Sequence, residues 1–228
     1  MALCMPNVVR SLIFLTPCKC LLTQMIWEED MNRGSEVRQA LMTSTIRVIS
    51  AQGIQNATTK ALSVDSGLSE VYIYRYFKDK EDLFQQTFDS LDKEIMLVMC
   101  KSYQNINRNH IDARIGFKNI FHDFWKFCLG NKDRCSFFIQ YYYSSYYLKH
   151  SEVERKKIYQ PLIDLITPSF EHNVDIWVEL NHMYDIVFPK LLRVIRGSMP
   201  DNVETEENVY KEIALIEEKN IHWIKYNE

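Results

Sequence analysis

From Glu36 onward, apolar residues recur at helical intervals. Leu41, Met42, Thr45, Val48 and Ile49 follow one another at steps of one, three and four, which marks one face of a helix. Gly53 stands where a left-handed residue ends such a helix. Thr58 and Thr59 open a second, short helix, with Thr58 as its N-cap and Ala61, Leu62 and Val64 as its inward side. Gly67 and Leu68 supply the tight turn that a helix-turn-helix needs, because two helices cross there at close range. Ser69 is the expected N-cap of a third helix, Glu70 to about Phe77. Ile73 and Phe77, at i and i+4, face inward on it, which turns Tyr72 and Arg75 outward.

The same periodicity continues to the end of the chain. A long helix is predicted from Asp79 to about Asn105, carrying Leu83, Phe84, Phe88, Leu91, Ile95 and Val98. The Asn-rich NINRNHID stretch is expected to be a loop. Further helices follow over Ile111–Leu129 and Asp133–Ser144. Ser151 and Glu154 form a capping box before a helix carrying Ile158, Leu162 and Leu165, which Pro168 ends or kinks. Two final helices are predicted over about Val174–Arg196, bent at Pro189, and about Thr205–Trp223, separated by Gly197 and Pro200. The expected class is all-α: a three-helix head over 33–79, then a helical body over 80–228.

Composition sharpens this picture only locally. The chain has 228 residues, 46% hydrophobic and 25% charged, enough for a sizeable core. Six Gly and six Pro are few, which favours long helices over a many-turned β-sandwich. The net charge of -3 carries no global basic signature, and basic and acidic residues nearly balance between 31 and 84. The cysteines at 4, 18, 20, 100, 128 and 135 contain no CxxC pair, so reduced thiols in a cytoplasmic protein are expected rather than a metal site. The apolar run over 8–26 is broken by Pro17 and Lys19 and is too short for a membrane span. Residues 1–32 form an extra N-terminal tail: a loose segment, an added helix or a targeting peptide, with Met25 and Met31 as alternative starts.

The third helix of the head carries the chemistry. Tyr72, Tyr74, Arg75 and Tyr76 crowd one short helix, and Lys78 and Lys80 follow it directly. Hydroxyls, a guanidinium and flanking ammonium groups suit insertion into a DNA major groove. The stretch TTKALSVDSGLSEVYIYRYFKDKEDLF resembles the DNA-binding signature of the TetR family, tetracycline-repressor-like regulators. Thr58, Leu62, Gly67, Leu68, Ser69, Ile73, Tyr74, Tyr76, Phe77, Lys80 and Leu83 fall in its register. Ser44 and Thr45 replace two usual alanines and Ser63 a third, small-for-small changes expected only to loosen packing. With that resemblance, Thr58, Tyr74 and Lys80 are expected on phosphates, joined by Tyr76, with Ser69 opening the helix. Glu70, Val71, Tyr72 and Arg75 are expected at base edges, Arg75 on a guanine and Val71 on a thymine methyl. Glu70 is equally a partner for the helix dipole.

The resemblance further implies a body that dimerises through its last two helices and senses a small molecule. Trp177, Leu180, Tyr184, Val187 and Leu191, with Val209, Ile213, Ile216 and Trp223, are candidates for the seam of a homodimer, or else pack within one subunit. Phe121, His122, Trp125, Tyr141, Tyr142 and Tyr146 are candidates for an effector pocket, or else core filling at helical spacing. No cofactor, metal or membrane association is expected. No phosphate loop, nucleophile elbow or metal triad points to an enzyme. The expected function is a ligand-responsive repressor that binds a palindromic operator as a homodimer. The competing expectation is a TetR-like partner-binding protein that does not bind DNA.

Overall fold

A computed structural model of the chain describes residues 17–108, 113–149, 152–170 and 172–217. Every regular element among them is helical. The described residues divide into two compact units, one up to Ala40 and one from Leu41 on. The first is helical from residue 17, within α1 (Pro17–Gln52), so the predicted boundary between tail and head at 32 falls inside a helix.

The second unit begins with the remainder of α1, whose Leu41, Val48 and Ile49 are buried as predicted. A 3-10 turn (Ile54–Asn56) leads to α2 (Thr59–Ser66) and α3 (Val71–Tyr76). The body then contains α4 (Lys80–Arg108), α5 (Ala113–Gly130), α6 (Lys132–Tyr142), α7 (Glu152–Ile166), α8 (Ile176–Ile195) and α9 (Val203–Glu217). The predicted Asn-rich loop is therefore helical up to Arg108. The hydroxyl of Ser151, offered as a cap of α7, and the side chain of Trp223 lie outside the described residues.

α4 shows why this sequence folds as it does. Its first turn is closed reciprocally: the Asp82 N–H donates to Asp79 Oδ1 at 2.8 Å, and the Lys78 N–H donates to Asp82 Oδ2 at 2.8 Å. This satisfies N–H groups that no helical carbonyl can reach. Leu83, Phe84, Phe88, Leu91, Ile95, Met99 and Tyr103 then bury one stripe. α6 is buried through Cys135, Ser136, Phe137, Phe138 and Ile139 without an exposed position, as suits a central helix of the body. Phe88 stacks on Phe138 with ring centroids 4.3 Å apart, and Tyr184 on Phe188 at 4.7 Å.

This packing decides between the two readings left open for α8 and α9, and it corrects one expectation for the head. Trp177, Leu180, Tyr184, Val187 and Leu191 on α8, and Val209 and Ile213 on α9, are all buried within the single chain. Their apolar area is already used inside the subunit, so they are not an open seam awaiting a partner. Val64 is 77% exposed instead of inward, because it stands two residues from the buried Leu62, about 200° around the helix. No helix among the described residues is long and apolar enough to cross a membrane.

Candidate nucleic-acid interface

The head is built around a few buried apolar side chains and a set of hydroxyl bonds. Thr58 caps α2: its Oγ1 accepts from the Ala61 N–H at 3.1 Å. α2 ends at Gly67 with φ 69° and ψ 13°, the left-handed conformation that side chains disfavour. The serines that depart from the family pattern bind the motif rather than loosen it. Ser44 Oγ donates to the Leu62 carbonyl at 3.0 Å, joining α1 to α2 in a buried position. Ser63 Oγ donates to the Leu68 carbonyl at 2.6 Å, closing the turn between α2 and α3. Thr45 Oγ1 donates back to its own helix at Leu41. An alanine at 44 or 63 has no hydroxyl to make those bonds. Arg47 adds a charged tie, with Nε and Nη2 donating to Asp65 Oδ2 at 3.0 and 2.7 Å. Facing Arg47, the Asp65 carboxyl is held below its ordinary value by that hydrogen bond.

α3 is held by its inward face. Ile73 is fully buried and Phe77 nearly so, as the i, i+4 spacing predicts. Ser69 is less of a cap than expected. Its Oγ accepts from the Val71 N–H at a long 3.4 Å, while its carbonyl accepts from Tyr72 at 2.9 Å. Glu70 is the residue flanking the helix, and its side chain makes no cap bond. The opposite face is open: Val71 is 70% exposed, Tyr74 is 61% exposed, and Arg75 is exposed beside them. Tyr72 and Tyr76 are half-buried and stack with centroids 6.3 Å apart and planes 8° from parallel. The Arg75 guanidinium lies 5.7 Å from the Tyr76 ring centroid. Thr58 is exposed, and Lys80 is half-buried at the first position of α4. All nine residues predicted to meet DNA thus lie at the N-cap of α2, on α3 or its approach, or at the start of α4, and none is fully buried.

The six predicted pocket residues meet different neighbours. Phe121 meets Trp125 and Tyr210, while His122 Nδ1 pairs with Glu206 on α9. Tyr146 lies against Phe84 on α4. Tyr141 and Tyr142 pack in the aromatic core around Arg155. Phe121, Trp125 and Tyr141 are buried among other rings. A concavity of about 420 Å³ opens at the corner of α5 and α6, lined by Leu129–Arg134, and none of the six lines it.

The centre of the body is charged, which the sequence reading missed. Arg155 and Asp92 are fully buried, with Arg155 Nε donating to Asp92 Oδ2 at 2.8 Å. Tyr159 donates to Asp92 Oδ1 at 2.5 Å and shares a 2.7 Å hydroxyl contact with Tyr184. Arg155 Nη1 donates to Tyr147 Oη and Asn181 Oδ1, both at 3.2 Å. Six aromatic rings surround the guanidinium at 5.2–5.9 Å. Burial opposes the charge of Arg155, but the Asp92 carboxylate beside it lifts the guanidinium above its ordinary value and keeps it charged. Burial likewise pushes Asp92 up, against the pull of Arg155. One signal was available. Arg155, Tyr159, Leu162 and Ile166 share the i, i+4, i+7, i+11 face of α7, so the arginine stands in a buried register.

A capped helix-turn-helix with an open polar face on its third helix, set on a helical body, defines a class of DNA-binding transcription regulators. Residues 41–87 match the family described as bacterial regulatory proteins, tetR family. The nucleoid occlusion factor SlmA of Pasteurella multocida (strain Pm70) is 28% identical over 81 residues, 35% of this chain and 40% of that protein. The match therefore spans about two-fifths of that relative's length. Among solved structures, a TetR family transcription regulator from Marinobacter aquaeolei VT8 is similar with a TM-score of 0.65 at 16% identity, over 84% of this chain and 99% of that one. The fatty acid degradation regulator FadR from Bacillus halodurans is similar with a TM-score of 0.54 at 16% identity, over 77% and 96% of the two chains. At these identities the likeness is one of fold.

Proposed function

We propose that the protein is a ligand-responsive repressor that binds a palindromic operator as a homodimer. The observation that carries this reading is the sidedness of α3: Ile73 and Phe77 are buried while Val71, Tyr74 and Arg75 stand exposed on a short, anchored helix. On this reading Thr58, Tyr74, Tyr76 and Lys80 meet phosphates, with Ser69 at the entry to α3. Glu70, Val71, Tyr72 and Arg75 face base edges, where Arg75 matches the acceptors of a guanine. Two such helices are required, because one recognition helix per site binds weakly, and half-sites lie about 34–36 Å apart. The dimer uses surfaces of α8 and α9 other than the buried set, which include Val178, Val203 and Leu215. Effector response belongs to the body. Tyr141 and Tyr142, beside the Arg155 core, are the residues through which a bound small molecule would repack it. Phe121, His122, Trp125 and Tyr146 serve that response from separate positions.

The test is a gel shift with DNA from just upstream of the protein's own coding sequence, at two salt concentrations. Wild type is compared with Tyr74→Ala and Lys80→Ala, and the dimer is checked by sedimentation. Saturable, salt-sensitive binding that both substitutions weaken supports the regulator. A folded dimer that binds none of the nearby promoter DNA turns the reading to a partner-binding protein, for which the near-balanced charge of the head would then be the explanation.

A further inference from the structure

Lys80 is the one proposed phosphate contact whose ammonium is gripped by the body. It opens α4, and Phe84 follows one turn later on the same face. The Lys80 ammonium lies 5.4 Å from the Phe84 ring centroid and 5.9 Å from that of Tyr146. The two rings meet edge to face, 5.5 Å apart and 77° between planes. They make a corner, and the cation lies over both rings. Phe84 is fully buried and therefore fixed. Tyr146 comes from the connection between α6 and α7, far along the chain. Its place is set by backbone and core. The Tyr146 N–H donates to Ser144 Oγ at 3.2 Å, and Ser144 is itself buried, its Oγ donating to the Tyr141 carbonyl at 2.7 Å. The next residue, Tyr147, accepts from Arg155 Nη1 and packs on Tyr142 with centroids 4.7 Å apart.

We propose that Tyr146 is a positioning residue for DNA binding: with Phe84 it holds the Lys80 ammonium ready for a phosphate, and Tyr147 beside it ties that corner to the buried Arg155–Asp92 pair. The inference rests on the reading of Lys80 as a phosphate contact. A free lysine chain loses much rotamer freedom when its ammonium is fixed on a phosphate. A ring face attracts a cation without using any of its hydrogen-bond donors, so the ammonium can be held by the corner and still donate to DNA. Part of the ordering is then done before DNA arrives. The adjoining tyrosine makes the head's grip on the backbone sensitive to the packing of the body core.

Phosphate contacts are blind to sequence, so the probe is a fluorescein-labelled duplex of arbitrary sequence, about 30 base pairs long, titrated with the full chain at several salt concentrations. Tyr146→Leu is expected to weaken binding by about two- to five-fold per protomer. Tyr146→Phe, which keeps the ring, is expected to bind as wild type. Lys80→Ala is expected to flatten the salt dependence by about one unit per protomer. In the Lys80→Ala background Tyr146→Leu should have no further effect. Losses that add in the double variant, or a Tyr146→Leu protein that binds as tightly as wild type while Lys80→Ala binds weakly, overturn the proposal and leave the DNA reading standing. A Lys80→Ala protein that binds as wild type overturns both the proposal and the reading of Lys80 as a phosphate contact. Should Tyr146→Leu fail to fold, the wild type still decides. With reductively methylated lysines, the Lys80 methyl resonance, assigned by its absence in Lys80→Arg, is expected to be shifted upfield by the rings in the free protein. A resonance at the ordinary lysine position refutes the corner.

Discussion

Replacing Asp92 with asparagine should cost the fold about 3–5 kcal/mol, the range for breaking a buried ion pair by removing one partner. Asp92 and Arg155 are both 0% exposed, so neither charge can turn to water. Asparagine keeps the volume and one acceptor oxygen. What it removes is the negative charge and one of two acceptors, and those two take Arg155 Nε at 2.8 Å and the Tyr159 hydroxyl at 2.5 Å. The guanidinium stays buried, with Asn181 Oδ1 and Tyr147 Oη as its remaining oxygen partners and neutral rings around it. Rings attract a cation, but by much less than a carboxylate at hydrogen-bond distance. For a chain of this length about 2–4 °C is lost per kcal/mol, so the melting midpoint should fall by about 6–20 °C. The assay is thermal unfolding followed by circular dichroism for Asp92→Asn, Arg155→Met and the double variant. Removing both charges leaves no orphan, so the double variant should melt well above the level at which the two single losses add. A single variant within about 2 °C of wild type, or strictly additive losses, would show that the pair does not hold the body together.

Three further outcomes follow from particular residues. Gly67→Ala meets no atom within 4 Å, so its whole effect is the strain of φ 69°, an expected loss of about 1–2 kcal/mol in urea unfolding; a variant as stable as wild type would mean that the turn relaxes. Thr58→Ala deletes the cap on the Ala61 N–H and should cost about 1 kcal/mol by the same measurement, with weaker DNA binding beside it. Alkali should unfold the protein from the tyrosine core. Burial raises Tyr141, Tyr142, Tyr147, Tyr159 and Tyr184 above the ordinary phenol value of 10.0, and pushes Tyr143 up to about 12. A raised phenol contributes stability that is whole below pH 10 and is lost as the pH climbs through 12 and beyond, so phenolate absorbance should appear together with loss of helix. Phenolate forming gradually from pH 10 with the helical signal intact would contradict it.

The head was legible because its determinants are local. A cap, a left-handed glycine and an i, i+4 apolar pair each act within a few residues, and Thr58, Gly67, Ile73 and Phe77 are found in those roles. The errors in the head arise where a local rule met a neighbour. Val64 has an i, i+3 step from Ala61 but lies two residues from the buried Leu62, on the opposite side of the helix. Ser44 and Ser63 look like diminished alanines until the carbonyls of Leu62 and Leu68 are placed opposite them.

The body was legible only as a count and order of helices, because contacts between its helices join residues 63 to 84 positions apart. Asp92 reaches Arg155 from α4 to α7, and His122 reaches Glu206 from α5 to α9. Periodicity assigns each of these residues to a face of its own helix but cannot say which face of which other helix it meets. The aromatic residues were ambiguous for the same reason. Helical spacing groups Phe121 with Trp125 and Tyr141 with Tyr142, yet says nothing about which neighbours each group meets, and in the fold Phe121 meets Tyr210 while Tyr142 meets Phe188. The residue that could have broken the ambiguity is Arg155, since a charge on an apolar helical face either faces an opposite charge or costs several kcal/mol. Searching the remaining apolar stripes for the matching acid leads to Asp92, flanked by Phe88, Leu91 and Ile95 on α4. The chain thus contains the pairing as two exceptions to its own hydrophobic pattern, and the exceptions identify each other.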